Sequence, residues 1–357
     1  MANTERVKEA VARAGLDAVL LMDDRDIYYA TGFLPTDSAA IIARDAAWLV
    51  TDSRYIEAAQ NQAAPGVEVV LTTRERPLPG ILRELCDRNE LERIGAEEEK
   101  LSHAMYLRME KALGRELLPA QALLVELRSC KTKEELQSLI AAQRIAETAL
   151  EEVLPLLKPG AVESEIAAEL TYRMRIHGAE GNSFDPIVVT GAKSSMPHGV
   201  PGDEVIKSGD FVTMDFGCLK NGYCSDMTRT VAIGSATDEM RNVYYTVLEA
   251  QKAGIAVARP GVTGAEIHNA GAKVIADAGY GAYFGHGFGH GVGLYIHEAP
   301  NAAPSNTQPM PEGAVISAEP GIYLPGRFGV RIEDVLYLTG EGNVDITKAP
   351  KELIILG

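Results

Sequence analysis

Asp215, Asp226, His290, Glu319 and Glu333 fall in five short segments, MDFG, YCSDMTRT, HGFGHGVGLYIHE, ISAEPG and VRIED. Four carboxylates brought to one buried point repel each other unless cations join them, so their convergence implies a metal centre. Carboxylate and imidazole donors, with thiols in the minority, suit Mn²⁺, Co²⁺, Fe²⁺ or Zn²⁺ in preference to Cu⁺. Two such ions sharing a water lower its pKa towards neutrality and hold it as a hydroxide nucleophile. The reaction class is hydrolysis, with a nearby histidine stabilising the oxyanion that develops.

The elements that must position these residues can be read from strand alternation. In GDFVTMDFG, Phe211, Thr213 and Asp215 share one face while Val212, Met214 and Phe216 share the other. Asn221-Gly222 is a two-residue hairpin signal, because both residues tolerate positive φ. That loop pairs Asp215 with Thr228 and leaves Asp226 diagonal to Asp215, roughly 7 Å away at Cβ or less. Bridging metals can close that span. Glu319 shares parity with Val315 and Ser317 before a forced turn at Pro320-Gly321, and Arg331 shares a face with Glu333 in a strand from Val330 to Leu338. Any one of these acids alone would read as a solvated surface group.

Histidines cluster nearby. GHGFGHGVGLYIHE carries His286, His290 and His297 among its glycines, a density that marks close backbone approach. One of the three should complete the centre, imidazole being the commonest nitrogen ligand of first-row divalent metals. His198, in KSSMPHGVPGD, lies in a Pro- and Gly-rich loop of the kind that carries substrate-contacting groups.

The 357 residues suit two domains, and the apolar content of 46% and charged content of 24% are those of a globular protein. A net charge of −16 argues against nucleic acid or anionic membrane as partners. The first 22 residues lack a signal-peptide core or a membrane span, so cytoplasm is the expectation. Cys86, Cys130, Cys218 and Cys224 have neither zinc-knuckle nor disulfide-scaffold spacing and read as reduced thiols, with soft-metal binding a lesser alternative for Cys218 and Cys224.

Helix is expected over residues 5–14, strand over Ala18 to Met22, a loop at DDRD, strands at Ala39 to Ala43 and Ala46 to Val50, and helix from Ser53. Strand at Val67 to Leu71 and helix from Gly80 to Asn89 follow, which together predict a small α/β domain. Residues 1–125 are assigned to it and 126–357 to a second domain. At its start ALLVELR reads as strand, leading into a long helix with a capping box at Thr132 and Glu135 and a stop at Lys158-Pro159-Gly160. Further helices are expected at Glu163 to His177, Asp238 to Ala258 and Thr263 to Ala278. Strands are expected at Ile187 to Val189, Asp210 to Phe216, Tyr223 to Ala232, Ala314 to Ala318 and Val330 to Leu338. Segregated helices and antiparallel strands predict α+β.

These motifs resemble the pita-bread metallopeptidase superfamily, in its Xaa-Pro branch of aminopeptidase P and prolidase. The five acidic and histidine positions match the family's ligands in type. The resemblance implies a dinuclear site in which Asp215 serves one metal, Asp226 and Glu333 bridge both, and His290 and Glu319 bind the other. It further implies that Glu319 acts as general base and acid. His198, His286 and His297 match histidines that line the substrate site and stabilise the tetrahedral intermediate, so His198 and His297 join Glu319 as catalytic candidates. Arg331 matches an arginine that supports a ligand or orients substrate.

DIYYATGF, LVTDSRYIEAA and RIGAEEEKLS resemble the creatinase-type N-terminal domain. Asp26 stands where that domain more often has Asn. The combination implies hydrolysis of the bond between an N-terminal residue and proline, from dipeptides or longer peptides, with Mn²⁺ or Co²⁺ favoured over Zn²⁺ or Fe²⁺, and a homodimer. Methionine aminopeptidases share the ligands without this domain, and a metal-free peptide-binding module would lack ligands.

Overall fold

Ala18–Leu21, Ala39–Ala43 and Ala47–Thr51 bury every side chain, and continuous apolar runs of this kind need cover on both sheet faces. In the structure, a computed structural model that describes residues 2–357, they form the middle of a six-stranded sheet. Its order is Val67–Leu71, Ala47–Thr51, Ala39–Ala43, Ala18–Leu21, Ile94–Ala96 and Leu117–Pro119. Ala39–Ala43 runs antiparallel to both neighbours, and the remaining pairs are parallel.

This sheet belongs to a first compact unit that ends at Arg128; the second runs from Ser129 to Gly357. The first unit contains two departures from expectation. DDRD is no loop: Asp23 caps the helix Asp24–Thr31 by accepting from the Arg25 and Asp26 N–H groups, and Gly32 ends it at φ 77°. Asp26 faces inward, fully buried, and pairs with Arg128. ALLVELR is helical, within Gln121–Ser129. Its buried positions Gln121, Leu124, Leu127 and Arg128 follow the helical repeat, which a short apolar run does not distinguish from strand in sequence.

In the second unit Thr132 and Glu135 form the expected capping box at the start of the helix Lys133–Val153. That helix and Glu163–Ile176 cover one side of a four-stranded sheet, ordered Ile355–Leu356, Met227–Ile233, Phe211–Phe216 and Ile187–Thr190. Val212, Met214 and Phe216 pack there against Ala142, Ala146, Ala149 and Leu170. Phe211, on the opposite face, packs with Val243, Val247 and Leu248 of the helix Asp238–Val257. Asp215 therefore projects away from the first helical layer, as alternation requires.

A five-stranded sheet, ordered Glu298–Ala302, Gly289–Gly291, Val315–Ala318, Asp334–Thr339 and Gly342–Asp345, supplies the other half of the site. This is an α+β arrangement. Among the described residues no helix is long and apolar enough to cross a membrane.

Candidate active site

Asp215 lies opposite Thr228 in the antiparallel pair Phe211–Phe216 and Met227–Ile233. The Asn221-Gly222 turn sets this register, with φ of 50° and 75° at its two residues. Yet the expected strand Tyr223 to Ala232 is not continuous. It breaks at Ser225 and Asp226, opposite Gly217, where a Cβ would lie 1.9 Å from the Ser225 carbonyl oxygen. Beyond the break Lys220 pairs with Tyr223 in a separate three-stranded sheet. Gln143 satisfies the backbone that the ladder releases, donating to the Asp226 carbonyl at 3.1 Å and accepting its N–H at 3.3 Å.

A second break corrects the expected strand Val330 to Leu338. Phe328–Arg331 pairs with Gly321–Leu324, whereas Asp334–Thr339 pairs with Val315–Ala318 in another sheet. Glu333 occupies the gap. Its N–H donates to the Thr228 carbonyl at 3.2 Å, and the Thr228 hydroxyl donates to Glu333 Oε2 at 2.7 Å. Arg229, buried behind it, donates to the Glu333 carbonyl at 2.6 Å and to Asp334 Oδ1 at 2.8 Å. Both breaks let a carboxylate leave the pleat and turn into the same cavity.

Ser317 links the remaining ligand candidates. The His290 N–H donates to Ser317 Oγ at 3.0 Å, and that hydroxyl donates to Glu319 Oε1 at 3.0 Å. His290 Nδ1 donates to the Gly291 carbonyl at 3.1 Å, so Nε2 is the nitrogen turned inward. It lies 3.2 Å from Glu319 and 3.5 Å from Asp226. Donor atoms of Asp226, His290 and Glu333 all fall within 4.8 Å of one another.

Electrostatics is unbalanced here. Burial pushes the Asp226 carboxyl well up, helped by Asp215, and does the same to Glu333, helped by Asp226. Burial also raises Asp215, although Arg331 opposes it. Burial works against the Glu319 carboxylate too, but the hydrogen bond and charge of His290 hold it down to about 2. For His290 burial disfavours the imidazolium, and the Glu319 carboxylate more than offsets this, lifting it to about 9.

Asp215 is joined to this group by Arg331, whose Nη2 donates to Oδ2 at 2.6 Å. Among the described residues its other oxygen, Oδ1, is buried with no hydrogen-bond partner. Four carboxylates, those of Asp226 and Glu333 buried and those of Asp215 and Glu319 partly so, one with an orphaned oxygen, and one inward-facing imidazole nitrogen fit a divalent-cation site of hard and borderline donors. Cys218 and Cys224 do not: both are buried, and burial pushes the Cys218 thiol up to about 11, away from the thiolate a metal needs.

The ligand candidates open into a cavity of about 1040 Å³ that His198, His286 and His297 also line. The His297 ring stands edge-on to His290, centroids 4.2 Å apart, and burial followed by the His290 charge keeps it below the usual histidine range. Both ring nitrogens of His286 are taken: Nδ1 donates to the Gly287 carbonyl at 2.8 Å, and Nε2 meets the Tyr323 hydroxyl at 2.9 Å. That hydroxyl also accepts from Arg331 Nη1 at 3.0 Å.

Tyr323 escaped the sequence reading. The signal lay in GIYLPGRFGVR, where pairing of Tyr323 with Gly329 and Gly321 with Arg331 puts Tyr323 and Arg331 diagonally on one face.

Residues 137–340 match the profile of metallopeptidase family M24, and residues 4–130 that of the Creatinase/Prolidase N-terminal domain. A solved structure of the Xaa-Pro dipeptidase from Bacillus anthracis is 41% identical, covers 99% of both chains and superposes with a TM-score of 0.94. The X-Pro aminopeptidase from Thermotoga maritima MSB8 is 35% identical over 98% of this chain and 100% of its own, with a TM-score of 0.92. The Xaa-Pro dipeptidase of Pyrococcus furiosus is 36% identical over 98% of this chain and 99% of its own length. The creatinase-type domain followed by a pita-bread domain that the sequence motifs implied is borne out for this chain. The chain therefore belongs to metallopeptidase family M24, as a hydrolase whose pita-bread catalytic domain follows a Creatinase/Prolidase N-terminal domain.

Proposed function

We propose that this chain is a dinuclear metallo-exopeptidase that hydrolyses the bond between an N-terminal residue and proline. The observation that carries the reading is the meeting of Asp226, His290 and Glu333 donor atoms within 4.8 Å beside the orphaned Asp215 Oδ1. The proposal gives Asp215 to one cation, Asp226 and Glu333 to both, and His290 and Glu319 to the other. Bound there, two divalent cations, Mn²⁺ or Co²⁺ by preference, would acidify a shared water and polarise the scissile carbonyl.

The chain's own groups then have distinct work. Glu319 takes a proton from the attacking water and returns it to the proline nitrogen as the C–N bond breaks. His297 and His198 donate towards the carbonyl oxygen as it gains charge. His286, with both nitrogens committed, holds the Tyr323 hydroxyl, and Arg331 holds Asp215 in place. Phe184, Ile187 and Ile296 offer apolar cavity wall to a pyrrolidine ring whose nitrogen has no hydrogen to donate.

The same resemblance supports a cytoplasmic homodimer, for which light scattering should give twice the mass of one chain and a monomer would count against it. The enzymatic reading is tested by incubating purified protein with Mn²⁺ and the peptides Ala-Pro and Ala-Pro-Ala. Release of alanine that EDTA abolishes is expected; no release from either peptide, with metal occupancy verified, would overturn it.

A further inference from the structure

Resting on the Xaa-Pro reading, we infer that this pocket selects peptides that continue beyond the proline over free Xaa-Pro dipeptides. A dipeptide carries its carboxylate one residue past the scissile carbonyl, about 3.5 Å along the chain, and therefore inside the cavity. Burying that charge is costly unless a cation meets it. Among the described residues Arg331 is the one Lys or Arg side chain lining the cavity.

Arg331 is already committed. It is 3% exposed, and its guanidinium donates to Thr228 Oγ1 at 3.1 Å, the Pro197 carbonyl at 3.2 Å, Tyr323 Oη at 3.0 Å and Asp215 Oδ2 at 2.6 Å. Drawing it towards a substrate carboxylate would strip Asp215 of its counter-charge. The metal site offers no net positive charge instead, since the four carboxylates Asp215, Asp226, Glu319 and Glu333 that line the same space balance the two divalent cations proposed there.

A longer peptide replaces the offending carboxylate with a neutral amide. Its carbonyl needs only a neutral donor, which the Asn301 side chain at the cavity wall provides. Room is available too. At about 1040 Å³ the cavity matches the upper end of pockets that hold whole drug-sized ligands, more than a dipeptide fills.

The test compares kcat/KM of the Mn²⁺-loaded full chain on Ala-Pro, Ala-Pro-NH₂ and Ala-Pro-Ala. Ala-Pro-NH₂ has nearly the shape of Ala-Pro without its C-terminal charge. The amide and the tripeptide are both expected to exceed Ala-Pro by about tenfold or more. Equal or faster cleavage of Ala-Pro would overturn the inference and leave the Xaa-Pro activity standing. Cleavage of the amide with none of the tripeptide would overturn it as well, by denying room beyond the proline. No cleavage of any of the three would overturn the Xaa-Pro reading itself.

Discussion

Arg331 Nη2 donates to Asp215 Oδ2 at 2.6 Å while its Nε donates to Thr228 Oγ1, the hydroxyl that in turn donates to Glu333. One guanidinium thus orients two carboxylates, one on a strand and one in a break between strands. Arg331→Lys keeps the charge and loses the planar fork, so one of the two supports must go. Metal affinity should fall about 10- to 100-fold, the usual effect of removing a group that orients a ligand. Calorimetric titration with Mn²⁺ checks this, and an unchanged affinity would mean that Asp215 holds its position unaided.

Asp226 and His198 should separate metal binding from rate. Asp226→Asn removes a charged donor from the group of three and is expected to lose both metal content and activity. His198→Ala should keep its metal and lose mainly kcat, by about 10²-fold if the imidazole donates to the developing oxyanion. Elemental analysis alongside kinetics distinguishes them. Two metals retained in Asp226→Asn would refute the bridging role.

Gly217 makes the hairpin break possible, since a Cβ there would collide with the Ser225 carbonyl at 1.9 Å and the Ser183 hydroxyl at 2.4 Å. Gly217→Ala should cost about 1–3 kcal/mol, the range for overpacking, and weaken metal binding because Asp226 lies in the displaced backbone. Chemical denaturation and metal content should move together. A stable variant with an intact site would show that the break has some other cause.

The first unit buries Asp26, Glu97 and Arg128 together, with Glu97 Oε2 accepting from the Met22 N–H at 2.6 Å and the Asp23 N–H at 3.0 Å. Burial raises both carboxyls, with Arg128 opposing the shift at Asp26 and Asp26 adding to it at Glu97. The fold therefore retains a proton that the unfolded chain releases near pH 4. Stability from this pair is full below about pH 4 and is lost as pH rises through the raised folded values. Glu97→Gln keeps the acceptor and removes the charge, so it should flatten the loss. Urea unfolding of both proteins from pH 4 to 8 measures the difference, and parallel profiles would contradict it.

Local chemistry explains what could be read before the structure. The Asn221-Gly222 turn carries its own register, so the pairing of Asp215 with Thr228 follows from two residues whose φ values only such types adopt. Parity likewise puts Val212, Met214 and Phe216 together on the face away from Asp215, the face that the structure packs against helices. The breaks at Ser225–Asp226 and Ile332–Glu333 are set by tertiary partners, Gln143 for the first and Thr228 for the second, which lie far away in the chain. Helix in ALLVELR was illegible because its apolar run fits both periods, and only the burial of Gln121, Leu124 and Arg128 decides between them. The engagement of His286 by Tyr323 needed the loop before Gly289–Gly291 to meet the hairpin of Gly321–Leu324 and Phe328–Arg331.

The most direct measurement is a titration of metal-stripped protein with Mn²⁺, following bound metal and Ala-Pro-Ala cleavage together. Two ions per chain should bind, with activity reaching its maximum only as the second site fills and vanishing on chelation. Full activity at one ion per chain, activity that survives EDTA, or an inert protein carrying two ions would contradict the dinuclear Xaa-Pro peptidase described above.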